Sequence, residues 1–327
     1  MNKFHTINLA LGGVLLLIMF WAIQPLELWR DPGQLGGRLL AFILIEGVAG
    51  VLFTIGWRNC LSSPHRELPF SPIYRIYLAG SAINYLTPTA GLGGELIKAS
   101  LLSNWHQGPE AATAVIIGKL AHALAQLLVI ILGSLTILGQ VQLPFHLGLL
   151  MVVVSVVIGA GILIFLMVQR AGRLGGVIRW LVRRNLGGRP LQRAAVQVNR
   201  VDQALKDFYA AHPGGLPSAV FWHMAAVTCG VVQCWFFFRL FDPSASLSVV
   251  AGVWLIGSWL DLVAFALPND IGIMEGTRVV AFTALGFGAS LGLTYGIIYR
   301  LAQIFWGAAG LALYATLISQ ARKRTSP

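Results

Sequence analysis

The sequence predicts an all-α, polytopic membrane protein with about six spanning helices and two re-entrant helical hairpins arranged as an inverted repeat. Three observations carry this: apolar runs of bilayer length, little charge within them, and a broken-helix motif that occurs twice. Of 327 residues, 57% are hydrophobic and 11% charged, against roughly 25% charged in an average soluble domain, so water is not the main solvent. A hydrocarbon core about 30 Å thick takes on the order of 20 apolar residues per helix. Such runs recur along the whole chain, which reads as one integral membrane domain over 1–327.

Taken in order, the run at 8–24 follows Lys3 and meets no small-x-small cleavage site, so it is expected to be a retained helix. A second span is expected at 38–57. The stretch from Ile73 to Leu102 holds two short apolar pieces around Thr87-Pro88-Thr89-Ala90-Gly91-Leu92-Gly93-Gly94-Glu95, each too short to span alone, and is expected to be a re-entrant hairpin. Spans follow at 110–138 and 145–168, and later at 217–240 and 293–318. Between these last two, about 250–290 repeats the hairpin pattern around Leu267-Pro268-Asn269-Asp270-Ile271-Gly272-Ile273-Met274-Glu275, although its first apolar piece is also compatible with a span.

Basic residues orient the helices, because Lys and Arg near membrane ends stay on the cytoplasmic side. The loop at about 170–213 carries Arg170, Arg173, Arg179, Arg183, Arg184, Arg189, Arg193, Arg200 and Lys206 against Asp202 and Asp207 alone, and is expected inside. Both termini then lie in the cytoplasm and the charge-poor turn from Gly139 to Pro144 outside. Within the loop, Leu191, Ala194, Ala195, Val198, Val201, Leu205 and Phe208 recur at helical spacing, as in an interfacial amphipathic helix. Topology therefore accounts for the net charge of +11 without nucleic acid. Cys60, Cys229 and Cys234 form no CxxC, the histidines form no HExxH, and Gly91-Leu92-Gly93-Gly94 is not GxGxxG, so no cofactor, metal or nucleotide site is expected.

The two hairpins align with Pro88 over Pro268, Glu95 over Glu275 and Lys98 over Arg278, and Lys119 and His122 match Arg300 and Gln303 after one residue of slippage. The chain thus reads as repeat one, about 38–138, and repeat two, about 217–318. Proline removes a backbone donor and disfavours helix at the residue before it, while Gly91, Gly93, Gly94 and Gly272 permit conformations other residues avoid. A break at membrane depth is tolerated only inside protein or along a watery cavity. Ionisable groups there are costly and usually paired. Glu95 with Lys119, and Glu275 with Arg300, are the expected partners lining such a cavity. The competing readings are an i,i+3 salt bridge from Glu95 to Lys98 and from Glu275 to Arg278, and snorkelling of Lys119 and Arg300. Asn84 and Asp261, each shortly before a break, would hydrogen-bond the break; Asn84, Pro88, Pro268, Asn269 and Asp270 join the substrate-pathway candidates.

The segment from Asn84 to Ser100 and its Pro/Gly/Glu partner resemble the flippase-like transmembrane domain of lysylphosphatidylglycerol synthases, over most of the chain. The first segment is most like the branch associated with hopanoid biosynthesis. The resemblance implies movement of a lipid, hopanoid or other polyisoprenoid or phospholipid, between leaflets of a bacterial cytoplasmic (inner) membrane. The chain ends at Pro327 after its last helix, so the aminoacyl-transferring domain of the full-length synthases is not expected and neither is lysyl transfer to lipid; the preferred reading is not an enzyme. The second motif departs from the family's glycine-rich turn at Asn269-Asp270. Two alternatives stand beside lipid translocation: a non-transporting partner that organises lipid-biosynthesis enzymes through the basic loop, and an intramembrane enzyme using Glu95 or Glu275 as acid or base, ranked last because no nucleophile or metal accompanies them.

Overall fold

The computed structural model describes residues 32–63, 65–86, 93–137, 145–171, 188–241, 243–264 and 272–325, with isolated residues at 21 and between 173 and 184. Apart from Trp21, the expected helix at 8–24 lies outside the described residues, as do Pro88, Gly91, Pro268, Asn269 and Asp270. The described part is helical without strands. Its helices are α1 (Pro32–Arg58), α2 (Phe70–Leu86), α3 (Gly93–Ser103), α4 (Glu110–Ile137), α5 (Phe145–Arg170), α6 (Gly188–Ala211), α7 (Gly215–Phe241), α8 (Leu247–Ala264), α9 (Ile273–Ala284) and α10 (Ala289–Thr325).

Four stretches among the described residues are long and apolar enough to cross a membrane: Leu39–Arg58, Glu110–Ser134, Gly215–Phe241 and Ala289–Gln320. Ser155–Arg170 and Leu247–Asp261 are shorter apolar helices. The outward faces fit a hydrocarbon solvent. Leu40, Leu44 and Val48, spaced at i, i+4 and i+8 on α1, are each more than half exposed, as are Val152, Val156 and Val157 on α5; in water such stripes would be an aggregation hazard.

Helices α2 and α3 are separate pieces that fold back on each other. Asn84 near the end of α2 meets Gly94 at the start of α3, Tyr77 one to two turns earlier lies beside Lys98, and His65 before α2 reaches the Leu102 carbonyl. Contacts that run down one helix while running up the next define an antiparallel pair. Helices α8 and α9 pack likewise through Asp261 and Arg278. Around these pairs, α1 to α4 and α7 to α10 follow one order of lengths, 27, 17, 11 and 28 residues against 27, 18, 12 and 37.

The two sets interlock. Helix α1 packs on α7, α4 on α7 and α8, and α10 on α1 and α2. Every one of these contacts becomes another, or itself, when the sets are exchanged. One core lies where α7, α8, α9 and α10 meet, with Phe238 stacked on Phe282 at 5.2 Å and Tyr295 edge-on to Phe237 at 5.2 Å. The first-set core gathers Trp57, Ile73, Ile76, Leu102 and Ile117. Between helices of opposite sets, Gln233 on α7 donates to the Phe42 carbonyl and to Glu46, both on α1, each at 3.2 Å, the interhelical hydrogen bonding expected of an intramembrane carboxylate.

Helix α6 realises the amphipathic pattern in the basic loop. Its Leu205 and Phe208 are buried against the first-set core, and the Arg170 guanidinium at the end of α5 lies 5.3 Å from the Tyr209 ring centroid.

Candidate functional site

At the first break, α3 opens with two glycines, and Gly94 lets its backbone approach that of Gly80 on α2. A Cβ on Gly80 would sit 2.8 Å from the Gly94 carbonyl oxygen and 2.8 Å from Lys98 Cε, so a side chain there would force the pair apart. The Gly94 N–H donates to Asn84 Oδ1 at 2.6 Å, satisfying one of the N–H groups that a helix start leaves unpaired. Glu95 in the first turn of α3 is favourably placed on the helix dipole. Its Oε1 accepts from Lys98 Nζ at 3.0 Å. The ammonium of Lys98 also lies 4.5 Å from the Tyr77 ring centroid and 5.7 Å from that of Trp57, within cation–π range.

These groups face a cavity of about 200 Å³ lined by polar and aromatic residues of α1, α2, α3, α4 and α7: Trp57, Tyr77, Asn84, Glu95, Lys98, Lys119, His122 and His223 among them. The cavity is large enough for water. A smaller one beside it, lined by Glu46, Tyr74 and Trp306, shares Phe53, Tyr77, Ser81 and Tyr85 with the first. His223 Nδ1 lies 2.7 Å from the Ala219 carbonyl, and the His122 and His223 rings are 5.7 Å apart.

The second break is built from the same pieces and wired differently. Gly272 before α9 has φ 78°, a conformation glycine alone adopts readily, and its N–H donates to Glu275 Oε2 at 2.8 Å. Arg300 Nε on α10 donates to Glu275 Oε1 at 2.8 Å. Arg278 instead pairs with Asp261 on α8 at 2.5 Å, and Thr277 donates to the other oxygen of Asp261 at 2.6 Å. Glu275 and Arg278 are buried.

The structure therefore joins Glu275 to Arg300 as the repeat suggested, but not Glu95 to Lys119. Glu95 takes the i,i+3 partner Lys98, and Lys119 faces the same cavity from α4. The reason lies before the breaks: with Pro88 over Pro268, the neutral Ser81 stands where Asp261 carries a charge. Asp261 satisfies Arg278 and leaves Glu275 for Arg300; without that carboxylate Lys98 claims Glu95. Both Asn84 and Asp261 hydrogen-bond across their breaks, as expected. Trp57, Tyr77 and His223 were not singled out by sequence. For α2 a signal existed, since Tyr77, Ser81 and Asn84 fall at i, i+4 and i+7 on one face of an apolar helix.

Residues 6–310 match the model of the lysylphosphatidylglycerol synthase TM region family. The chain belongs to that family. It is similar to a UPF0104 membrane protein of Methanothermobacter thermautotrophicus, 25% identical with 94% of this chain and 97% of that protein covered. No solved structure matches it. As a family member with several apolar spanning helices, the protein is a multi-pass membrane protein.

Proposed function

We propose that this protein moves a lipid between bilayer leaflets, with the head group passing through the cavity at the first break and the tails left in surrounding hydrocarbon. The observation that carries this reading is a cavity holding Lys98, Lys119 and Glu95 among helices whose outer faces are apolar. Charged groups at membrane depth are rare and mark substrate pathways, and broken helices meeting near the midplane of two related halves are a recurring transporter plan.

The paired helix order and the exchangeable contacts of α1 to α4 with α7 to α10 support an inverted repeat, in which α2 and α3 enter from the cytoplasm and α8 and α9 from outside. The basic loop supports cytoplasmic termini in a bacterial inner membrane. The likeness of Asn84 to Ser100 to the hopanoid-associated branch makes hopanoids and other polyisoprenoid lipids, beside phospholipids, the substrates to try first. In this reading the protein is a carrier without catalytic chemistry, and lipid-biosynthesis enzymes supply its cargo.

The test is leaflet exchange of a labelled lipid in reconstituted vesicles. Wild-type protein is expected to accelerate exchange over protein-free vesicles and Glu95→Gln to remove most of the gain. Equal exchange with and without protein, across phospholipid and hopanoid probes, would rule the reading out.

A further inference from the structure

We infer that Glu46 is a proton-binding site, fed by water in the cavities at the first break, whose protonation loosens the joint between the two halves; this adds a regulation to the translocation reading and rests on it. Glu95, Asp261 and Glu275 each pair with a cation, Lys98, Arg278 and Arg300 in turn. Glu46 pairs with none among the described residues. Its Oε2 accepts from the neutral amide of Gln233 at 3.2 Å. Glu46 lies in the apolar stretch Leu39–Arg58 of α1, seven residues after its start and twelve before its end, hence about 10 and 18 Å along the axis at roughly 1.5 Å per residue. A carboxyl group at that depth without a counter-cation is costly as an anion, and such groups mark proton relays in pumps and transporters.

The helices packed on α1, which are α2, α4, α7 and α10, bring no cation to Glu46 among the described residues. Helix α2 contributes the phenols of Tyr74, Tyr77 and Tyr85, α7 the thiol of Cys229, and α10 the phenols of Tyr295 and Tyr299. Arg300 of α10 is engaged by Glu275. Lys119 and His122 of α4, His223 of α7, and Glu95 with Lys98 of α3 line the larger cavity and not the smaller one that Glu46 lines. A path for a proton joins the two. The cavities, about 50 and 200 Å³, share Phe53, Tyr77, Ser81 and Tyr85, and both are large enough for water. Tyr77 is within electrostatic reach of Glu46 and of Glu95 alike, so three hydroxyls border a wet route from the first break to Glu46.

Gln233 turns the charge of Glu46 into a property of the whole fold. Its buried amide donates to the Phe42 carbonyl as well as to Glu46, both on α1, and so ties α7 of the second half to α1 of the first. A hydrogen bond to an ionised acceptor is roughly twice as strong as one between neutral groups. When a hydronium ion in the cavity gives its proton to the carboxylate, a carboxylic acid forms, water remains, and the bond from Gln233 becomes a neutral one. The tie between the halves then weakens, and rocking of one repeat against the other is the usual form of alternating access. The proton thereby favours the arrangement in which the halves part.

The experiment uses the full chain and two readouts over a series from mildly acidic to mildly alkaline buffer. In nanodiscs, infrared difference spectra of protein carrying isotope-labelled glutamate should show a carboxylic-acid signal that appears as pH falls and is missing from Glu46→Gln. In vesicles with equal pH on both sides, leaflet exchange of a labelled zwitterionic phospholipid, corrected for protein-free vesicles at each pH, should be about fivefold or more faster at the acidic end, the low end of coupling between two sites. Glu46→Gln, which imitates the protonated form, should exchange at the fast rate at every pH, and Glu46→Asp should keep a pH response. Absence of a Glu46-dependent signal would overturn the proton site. A folded Glu46→Gln protein that responds to pH as wild type does, or exchanges no lipid where wild type does, would overturn the coupling. A Glu46-dependent signal without exchange by wild type at any pH would count against translocation and leave the proton site standing.

Discussion

Replacing Glu275 by glutamine removes one charge and changes almost no volume. Glu275 is 1% exposed and accepts from Arg300 at 2.8 Å and from the Gly272 N–H at 2.8 Å. Removing one partner of a buried ion pair costs about 3–5 kcal/mol. Two features favour the lower end: glutamine retains an oxygen that can accept from one of these donors, and the Arg300 side chain is 19% exposed. A loss of about 3 kcal/mol is expected, read as a lower denaturation midpoint of the solubilised protein. The cycle with Arg300→Gln sharpens the test, because the double variant removes both charges and should recover part of the loss. A Glu275→Gln protein as stable as wild type, or a double variant with strictly additive losses, would refute the coupling of Glu275 to Arg300.

Glu95→Gln should cost less stability than Glu275→Gln, because its main partner is Lys98 at i,i+3 and the Glu95 side chain is 13% exposed; matched denaturation curves would check the order. Asp261→Asn removes the charge opposite buried Arg278 and leaves one acceptor oxygen where Arg278 and Thr277 now use two, and should lower the yield of folded protein in membranes, measured by detergent-resistant size-exclusion recovery. Gly272→Ala forces a side chain into φ 78° and should destabilise by on the order of 1–3 kcal/mol, seen as a reduced thermal midpoint. For topology, Arg184→Cys in a cysteine-free background should react with membrane-impermeant thiol reagents only from the cytoplasmic side, and labelling from outside would reverse the orientation.

Much of the helical framework was legible because hydrophobic length is a local property. The spans expected at 110–138 and 217–240 are helices Glu110–Ile137 and Gly215–Phe241, and the polar end of each apolar run marks where the bilayer pattern stops. The amphipathic spacing around Leu205 and Phe208 likewise announced α6. At the site, the proline and glycine pattern marked where α2 gives way to α3 and α8 to α9, and the Glu275 to Arg300 partnership followed from the repeat. The Glu95 to Lys119 pairing did not follow, because partner choice depends on what competes for each charge. That competition runs through Asp261, whose counterpart in the first half with Pro88 over Pro268 is the neutral Ser81. Trp57 and His223 come to the cavity from α1 and α7, a convergence that leaves no periodic trace in either segment, whereas Tyr77 shares one face of α2 with Ser81 and Asn84.

Leaflet exchange in vesicles of known composition tests the central claim most directly, with Lys119→Met and the exposed α6 variant Arg200→Gln measured beside wild type. The account predicts that wild type and Arg200→Gln exchange labelled phosphatidylglycerol at similar rates well above protein-free vesicles, and that Lys119→Met falls close to the protein-free rate while remaining folded. A Lys119→Met protein that exchanges lipid as fast as wild type would contradict it.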